Sequence, residues 1–98
     1  MPTYISLLRY TQQGISNIKD APSRVDKAKE AYKKAGGELK SVFLTLGQYD
    51  LVAIADMPND EAVARMALAL GAQGNIRSET MRAFPEADFR KIVGSLKQ

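Results

Sequence analysis

LKSVFLTLGQYDLVAIADM, Leu39 to Met57, reads as two strands folded back on each other around Gly47-Gln48-Tyr49-Asp50. Val42, Leu44 and Leu46 alternate with Phe43 and Thr45, and beyond the turn Leu51, Ala53 and Ala55 alternate with Val52 and Ile54. Side chains of a pleated strand point to opposite faces with a period of two, so each limb offers apolar groups to both faces. Gly47 supplies the backbone freedom of a hairpin connection. Asp56 and Pro58 end the second limb.

Working outward, Thr3 to Thr11 alternates in the same period, with Tyr4, Ser6, Leu8 and Tyr10 on one face and Ile5, Leu7 and Arg9 on the other. Apolar groups on both faces mark a central strand covered on both sides. Thr11 is placed to cap a short helical turn, with Ile15 and Ile18 on one side and Gly14 limiting its length. Asp20-Ala21-Pro22-Ser23 interrupts, because a residue before proline avoids helical geometry. A firmer helix is predicted from about Pro22 to Ala35, with Val25, Ala28, Tyr32 and Ala35 as its apolar stripe. Asp20 lies at its positive end, Lys33 and Lys34 at its negative end, and Gly36-Gly37 stops it.

Downstream, Asn59 caps a helix that opens with Asp60 and Glu61 and buries Val63, Met66, Ala67 and Leu70. Asn75 to Phe84 alternates as a fourth, more polar strand. Pro85 opens a last helix whose apolar side is Phe89, Ile92, Val93 and Leu96. The order β-α-β-β-α-β plus a helix implies an α+β, ferredoxin-like fold. Right-handed crossovers give a four-stranded antiparallel sheet of order 4-1-3-2 with both main helices on one face. Ile5, Leu7, Val42, Leu44, Val52 and Ile54, with Leu8, Phe43 and Leu51, exceed what one covered face can hide. A second copy packed sheet to sheet is the expected cover, sealed by the last helix and enclosing a cavity.

Composition removes much chemistry. The 98 residues include no cysteine and no histidine. Disulfides, thiolate chemistry, imidazole acid–base catalysis and the commonest zinc and haem ligation are therefore unavailable. No cofactor and no metal site is expected. The start of the chain lacks a signal-peptide pattern and no apolar run approaches membrane-spanning length, so a cytoplasmic protein without membrane partners is expected. Residues 1–40 hold eight lysines and arginines against four acids, whereas residues 41–72 hold one arginine against four acids. That polarity suits an anionic ligand or a partner subunit but is thin for nucleic acid.

Three groups of residues are candidates for chemistry. Tyr49 beside Asp50 would orient a ligand, or act as an acid were the phenol's pKa lowered by a cation; the plain alternative is a turn in which the aspartate bonds backbone. Lys19, Asp20 and Arg24 stand where an irregular segment meets a helix start, as an anion site or as a solvent-facing cap. Arg77 and Arg82 have odd spacing and point to opposite faces; Arg82 shares its face with Ser78 and Thr80, a stripe suited to carboxylate or phosphate, or to an interface ion pair. Arg9, in an otherwise apolar strand, needs a partner or a ligand.

TQQGISNIKDAPSR (Thr11 to Arg24), TLGQYDLV (Thr45 to Val52) and GNIRSETMRAF (Gly74 to Phe84) together resemble the GYD family of small proteins. The namesake residues stand here as Gly47, Tyr49 and Asp50, and nearly the whole chain, 1–98, is covered as a single domain. The resemblance implies a dimeric α/β barrel of two ferredoxin-like protomers but no reaction, since the family is of unknown function. The wider superfamily holds cofactor-free monooxygenases, haem-handling proteins and ligand-sensing modules, likenesses of fold that assign no activity; without histidine, a haem-ligating site does not carry over. The leading expectation is a homo-oligomeric binder of a small polar or anionic metabolite through Lys19, Arg24, Tyr49, Asp50 and Arg82. A cofactor-independent oxygenase or isomerase using the same pocket, and a purely structural or partner-binding module, are the alternatives.

Overall fold

A computed structural model describes residues 1–97. The elements follow in the order β1 (Thr3–Tyr10), α1 (Gln12–Ser16), a 3-10 turn (Ile18–Asp20), α2 (Ala21–Lys34), β2 (Glu38–Leu44), β3 (Leu51–Asp56), α3 (Asp60–Ala72), β4 (Ile76–Ala83) and α4 (Glu86–Gly94). The strands form one antiparallel sheet of order β2-β3-β1-β4, the expected ferredoxin-like arrangement. Within one chain this sheet is open, with β2 and β4 as its edges.

Local chemistry accounts for the boundaries. The Thr11 hydroxyl accepts from the Gly14 N–H, capping α1, and the Asn59 side chain accepts from the Ala62 N–H, capping α3. Helix α2 ends when Gly36 turns to φ 88°. There the Gly36 and Gly37 N–H groups donate to the carbonyls of Lys33 and Tyr32, at 3.0 and 2.9 Å. That pair of bonds satisfies the last helical carbonyls, and the left-handed conformation it requires favours glycine. Asp20 stands at the cap position of α2 but makes no side-chain cap bond.

One face of the sheet meets the helices. Tyr4, Met57, Ala62 and Met66 form its buried core, with Ala31, Tyr32, Ala35, Val63 and Leu70 packed around them; Met57 is wholly enclosed. The opposite face, carrying Ile5, Leu7, Val52 and Ile54 half-buried and Phe43 and Met81 exposed, has no covering layer among the described residues.

One expectation is corrected. Strand β2 begins at Glu38 and ends at Leu44, leaving Leu46 98% exposed. Thr45 closes the turn early, since its N–H donates to the Asp50 carbonyl and its hydroxyl to that of Tyr49. The register also shifts between Leu39 and Ser41, a bulge at Lys40 that lets Leu39 and Val42 share the helical face despite their odd spacing. Helix α4 leaves Phe89, Ile92, Val93 and Leu96 exposed within one chain, and the molecule is drawn out to 54 × 31 × 18 Å.

The Asn75 carbonyl, which accepts the Thr11 N–H at 3.1 Å, lies 2.0 Å from where a β-carbon on Gly14 would sit. Gly14→Ala is therefore expected to lose about 1–3 kcal/mol or more in urea denaturation. Gly71→Ala, where an added methyl meets open space, should gain about 0.5–1 kcal/mol from helix propensity.

Candidate functional site

Helices α2 and α3 leave a cleft between them, floored by the sheet, that encloses a cavity of about 100 Å³. Its walls are mainly apolar, from Leu8, Val25, Leu51, Met57, Val63 and Leu70, with the hydroxyl-bearing residues Ser6, Tyr10, Tyr32, Ser78 and Thr80. Tyr4 also lines it, its hydroxyl given to Asp60 at the neighbouring depression. On the floor, the Ser6 and Thr80 hydroxyls bond across β1 and β4 at 2.8 Å. Arg24 is the sole charged residue in the lining among the described residues. It is half-buried, and its guanidinium donates to the carbonyls of Asn17 at 3.1 Å and Gly14 at 3.3 Å. Those two bonds hold the fork in place while a guanidinium has five N–H donors in all. A wider depression of about 500 Å³ at the start of α3 carries Asp60 and Glu61 and is open to solvent, which disfavours anions and gives a ligand little enclosure.

The namesake loop does something different. Asp50 clasps β1: its N–H donates to the Leu8 carbonyl at 2.8 Å, and its carboxylate accepts the Tyr10 N–H at 2.9 Å. Tyr49 reaches over the open face and donates its hydroxyl to Glu79 at 3.0 Å. Arg9 lies over the Tyr49 ring, 4.7 Å from its centre, and donates to the Gln48 carbonyl. The hydrogen bond to Glu79 raises the Tyr49 pKa, burial and the Glu79 charge add to this, and Arg9 opposes it. The shift runs opposite to the lowered phenol pKa that a proton-transferring Tyr49 would need. Tyr4 is likewise raised, first by its hydrogen bond to Asp60, and Tyr32 by burial.

The five sequence-predicted residues therefore do not converge. Arg24 lines the cleft, Asp50 is committed to the Tyr10 backbone, and Tyr49 faces the other side of the sheet. Arg82 shares the helical face with Ser78 and Thr80 by register, but it stacks on the Phe84 ring at 4.3 Å and donates to the Thr3 and Ala83 carbonyls, outside the cleft lining. Lys19 is exposed in the 3-10 turn. Asn75 and Gln73 line the cleft and are gripped by Thr11 and Gln13. Sequence reasoning missed these two as cleft residues; their signal is the pairing of the TQQG and GN segments, visible only once folded. No group of three or more acidic, histidine or cysteine residues suited to a metal occurs among the described residues, and no helix there is long and apolar enough to cross a membrane.

Comparison with known proteins gives four matches. The GYD domain profile matches residues 4–93. A Thermus thermophilus protein named glutamine synthetase and cystathionine beta-lyase binding protein is 30% identical over 90 residues, spanning 91% of this chain and 95% of that one. Among solved structures, the feast or famine regulatory protein of M. tuberculosis, complexed with L-methionine, superposes with a TM-score of 0.66 at 14% identity. That alignment takes in 87% of this chain and 51% of the other, so the chain spans about half the length of that protein and the likeness is one of fold. A crystal structure of a Thermus thermophilus protein gives a TM-score of 0.53 at 26% identity, covering 87% and 95% of the two chains.

Glu79→Gln removes the charge that favours a protonated Tyr49. In a spectrophotometric titration, Tyr49 should ionise at lower pH in this variant than in the parent. Because its folded pKa is raised, the stability linked to it is present below the ordinary phenol pKa and is lost as pH rises through the folded value. The variant's stability should therefore fall off less in that alkaline window.

Proposed function

The chain belongs to the GYD-domain family, and on that premise we propose that it is a homo-oligomeric binder of a small molecule with an apolar body and one anionic end. The observation that carries this reading is the cleft between α2 and α3, whose lining is mainly apolar and has Arg24 as its sole cation among the described residues. Convergence of a few polar groups in an apolar recess is the usual form of a metabolite site. At about 100 Å³ the cavity is well below the roughly 300–1,000 Å³ of sites for drug-sized ligands. The ligand is then a small organic acid, its carboxylate at Arg24 and its body against Leu8, Val25 and Leu70. The feast or famine protein, similar in fold, was solved with an amino acid, a ligand of that size class.

Binding is favoured over catalysis by what lines the cleft. Its charged lining is Arg24, with no carboxylate or lysine among the described residues. The tyrosines there with resolved shifts, Tyr4 and Tyr32, are held protonated. A general base needs a group that accepts a proton near neutral pH within reach of the substrate, and these walls offer none.

A second copy covers the open sheet face. Ile5, Leu7, Val52, Ile54, Phe43 and Met81 make a continuous apolar surface, and faces of that kind mark association sites. Sedimentation at micromolar concentration should give a dimer or larger species.

A second reading, a module that docks on enzymes, is favoured by the name of the 30% identical relative, which binds glutamine synthetase and cystathionine beta-lyase. Co-sedimentation with purified glutamine synthetase distinguishes it from the first.

Native mass spectrometry followed by a melting-shift screen of small organic acids tests the leading reading. Arg24→Gln should weaken binding of an active acid about ten- to a hundredfold, the effect of losing a charge-assisted hydrogen bond of about 1.5–3 kcal/mol. Arg24 also ties α1 to α2, so ligand-free melting is measured alongside, and Arg24→Lys should keep part of the affinity. Equal binding by the glutamine variant, or no acid that shifts the melt, would remove the proposal.

A further inference from the structure

The open face carries a charge pattern that its apolar surface does not explain. At one corner Arg77, at the start of β4, stands directly opposite Arg9 on β1. Like charges on facing cross-strand positions repel. Arg9 is occupied by the Gln48 carbonyl and the Tyr49 ring. Arg77 is exposed and has no hydrogen bond or ion pair among the described residues. At the diagonally opposite corner Glu38, at the start of β2, faces Asp56 on β3. Asp56 is matched by Lys40 at 3.2 Å and by the Thr3 hydroxyl, whereas Glu38 has no side-chain partner among the described residues. Glu79, two residues along β4 on this face, accepts the Tyr49 hydroxyl, so the cation and the anion of this surface without a side-chain partner among the described residues are Arg77 and Glu38, at opposite corners. The two remaining corners are apolar, Phe43 near the end of β2 and Met81 with Ala83 near the end of β4.

We propose that a second copy covers this face about a two-fold axis running along the Phe43-to-Met81 diagonal, so that Arg77 of each copy meets Glu38 of the other. This rests on the reading above that the copies pair through their sheets. A two-fold axis between facing sheets can run parallel to the strands, perpendicular to them, or along either diagonal of the face. Parallel to the strands, it would lay Glu38 over the Ala83 end of β4. Perpendicular to them, it would lay Glu38 over the Phe43 end of β2. Both leave Arg77 and Glu38 unmatched on a surface being dried. Along the Phe43-to-Met81 diagonal, the axis brings the two charged corners together twice and turns the strands to cross at about 90°, a recognised sheet packing. Residues on a two-fold axis meet their own copies, so charge there would face like charge, and the corners on this axis are the uncharged ones. Matching opposite charges across an interface fixes its register and suppresses the alternatives.

The test uses Arg77→Glu and Glu38→Lys in the full chain, followed by sedimentation velocity over a concentration series. Each variant alone should self-associate about tenfold more weakly than the parent, because both corners then oppose like charges. An equimolar mixture of the two should recover parental association as a heterodimer, since Arg77 then meets Glu38 at one corner and the introduced pair meets at the other. Loss of folding in a single variant would not produce that rescue. Should either reversal unfold the chain by circular dichroism, Arg77→Gln and Glu38→Gln take its place. Each is expected to weaken the dimer and flatten its dependence on salt. A parent dimer indifferent to these changes, or a mixture without rescue, overturns the corner pairing and leaves the dimer standing. A parent that sediments as a monomer at micromolar concentration removes the dimer itself.

Discussion

Four strands with apolar side chains at both parities need cover on two sides, and the chain's packed layer of helices supplies it on one. The rest of the structure follows from how that demand is met. On the covered side, α2 and α3 press Tyr4, Met57, Ala62 and Met66 into a small core, yet they stand far enough apart to leave a recess over Ser6 and Thr80. On the other side Ile5, Leu7, Val52 and Ile54 wait for a partner surface. A domain of 98 residues has too little interior to bury both sets at once, because the fraction of surface a chain can hide falls with its size.

The loop that names the family divides its labour. Asp50 acts within the fold, giving a carboxylate to a backbone N–H and a backbone N–H to a carbonyl of β1. A buried strand end that would otherwise lack a partner is satisfied in this way. Tyr49, one residue away in the irregular turn before β3, lies over the open face and joins Arg9 and Glu79 there. Neighbours in sequence thus take separate roles, and a tyrosine–aspartate pair read as one site separates into a clasp on the β1 backbone and a surface cluster. The raised Tyr49 pKa belongs to the same geometry, since a phenol that donates to a carboxylate is stabilised in its protonated form.

The cleft reading and the paired-sheet reading use different faces and are compatible. Arg24 and the recess lie on the helical side, and Arg77 and Glu38 lie on the open side. Ligand and second copy therefore need not compete for surface. The floor residues Ser6 and Thr80 alternate along β1 and β4 with open-face residues such as Leu7 and Glu79, which gives a direct physical contact between the two faces through the strands themselves.

Most strand and helix positions, sheet order, both caps at Thr11 and Asn59, and the surplus of apolar strand residues were legible in the chain, because each depends on neighbours within a few positions or on a simple period. The exceptions are the end of β2 at Leu44 and the start of α2 at Ala21, which keeps helical geometry before Pro22. The bulge at Lys40 was not legible, since it appears only when β2 is registered against β3. Nor was the site. Arg24 stood among five candidates, and nothing local distinguished it from Arg82. What separates them is where α1 ends, so that the carbonyls of Gly14 and Asn17 hold the Arg24 fork beside the recess, while Arg82 falls back on Phe84. Periodicity assigns a side chain to a face, but which groups on that face converge is decided by helix placement and loop closure, and those are properties of the folded whole.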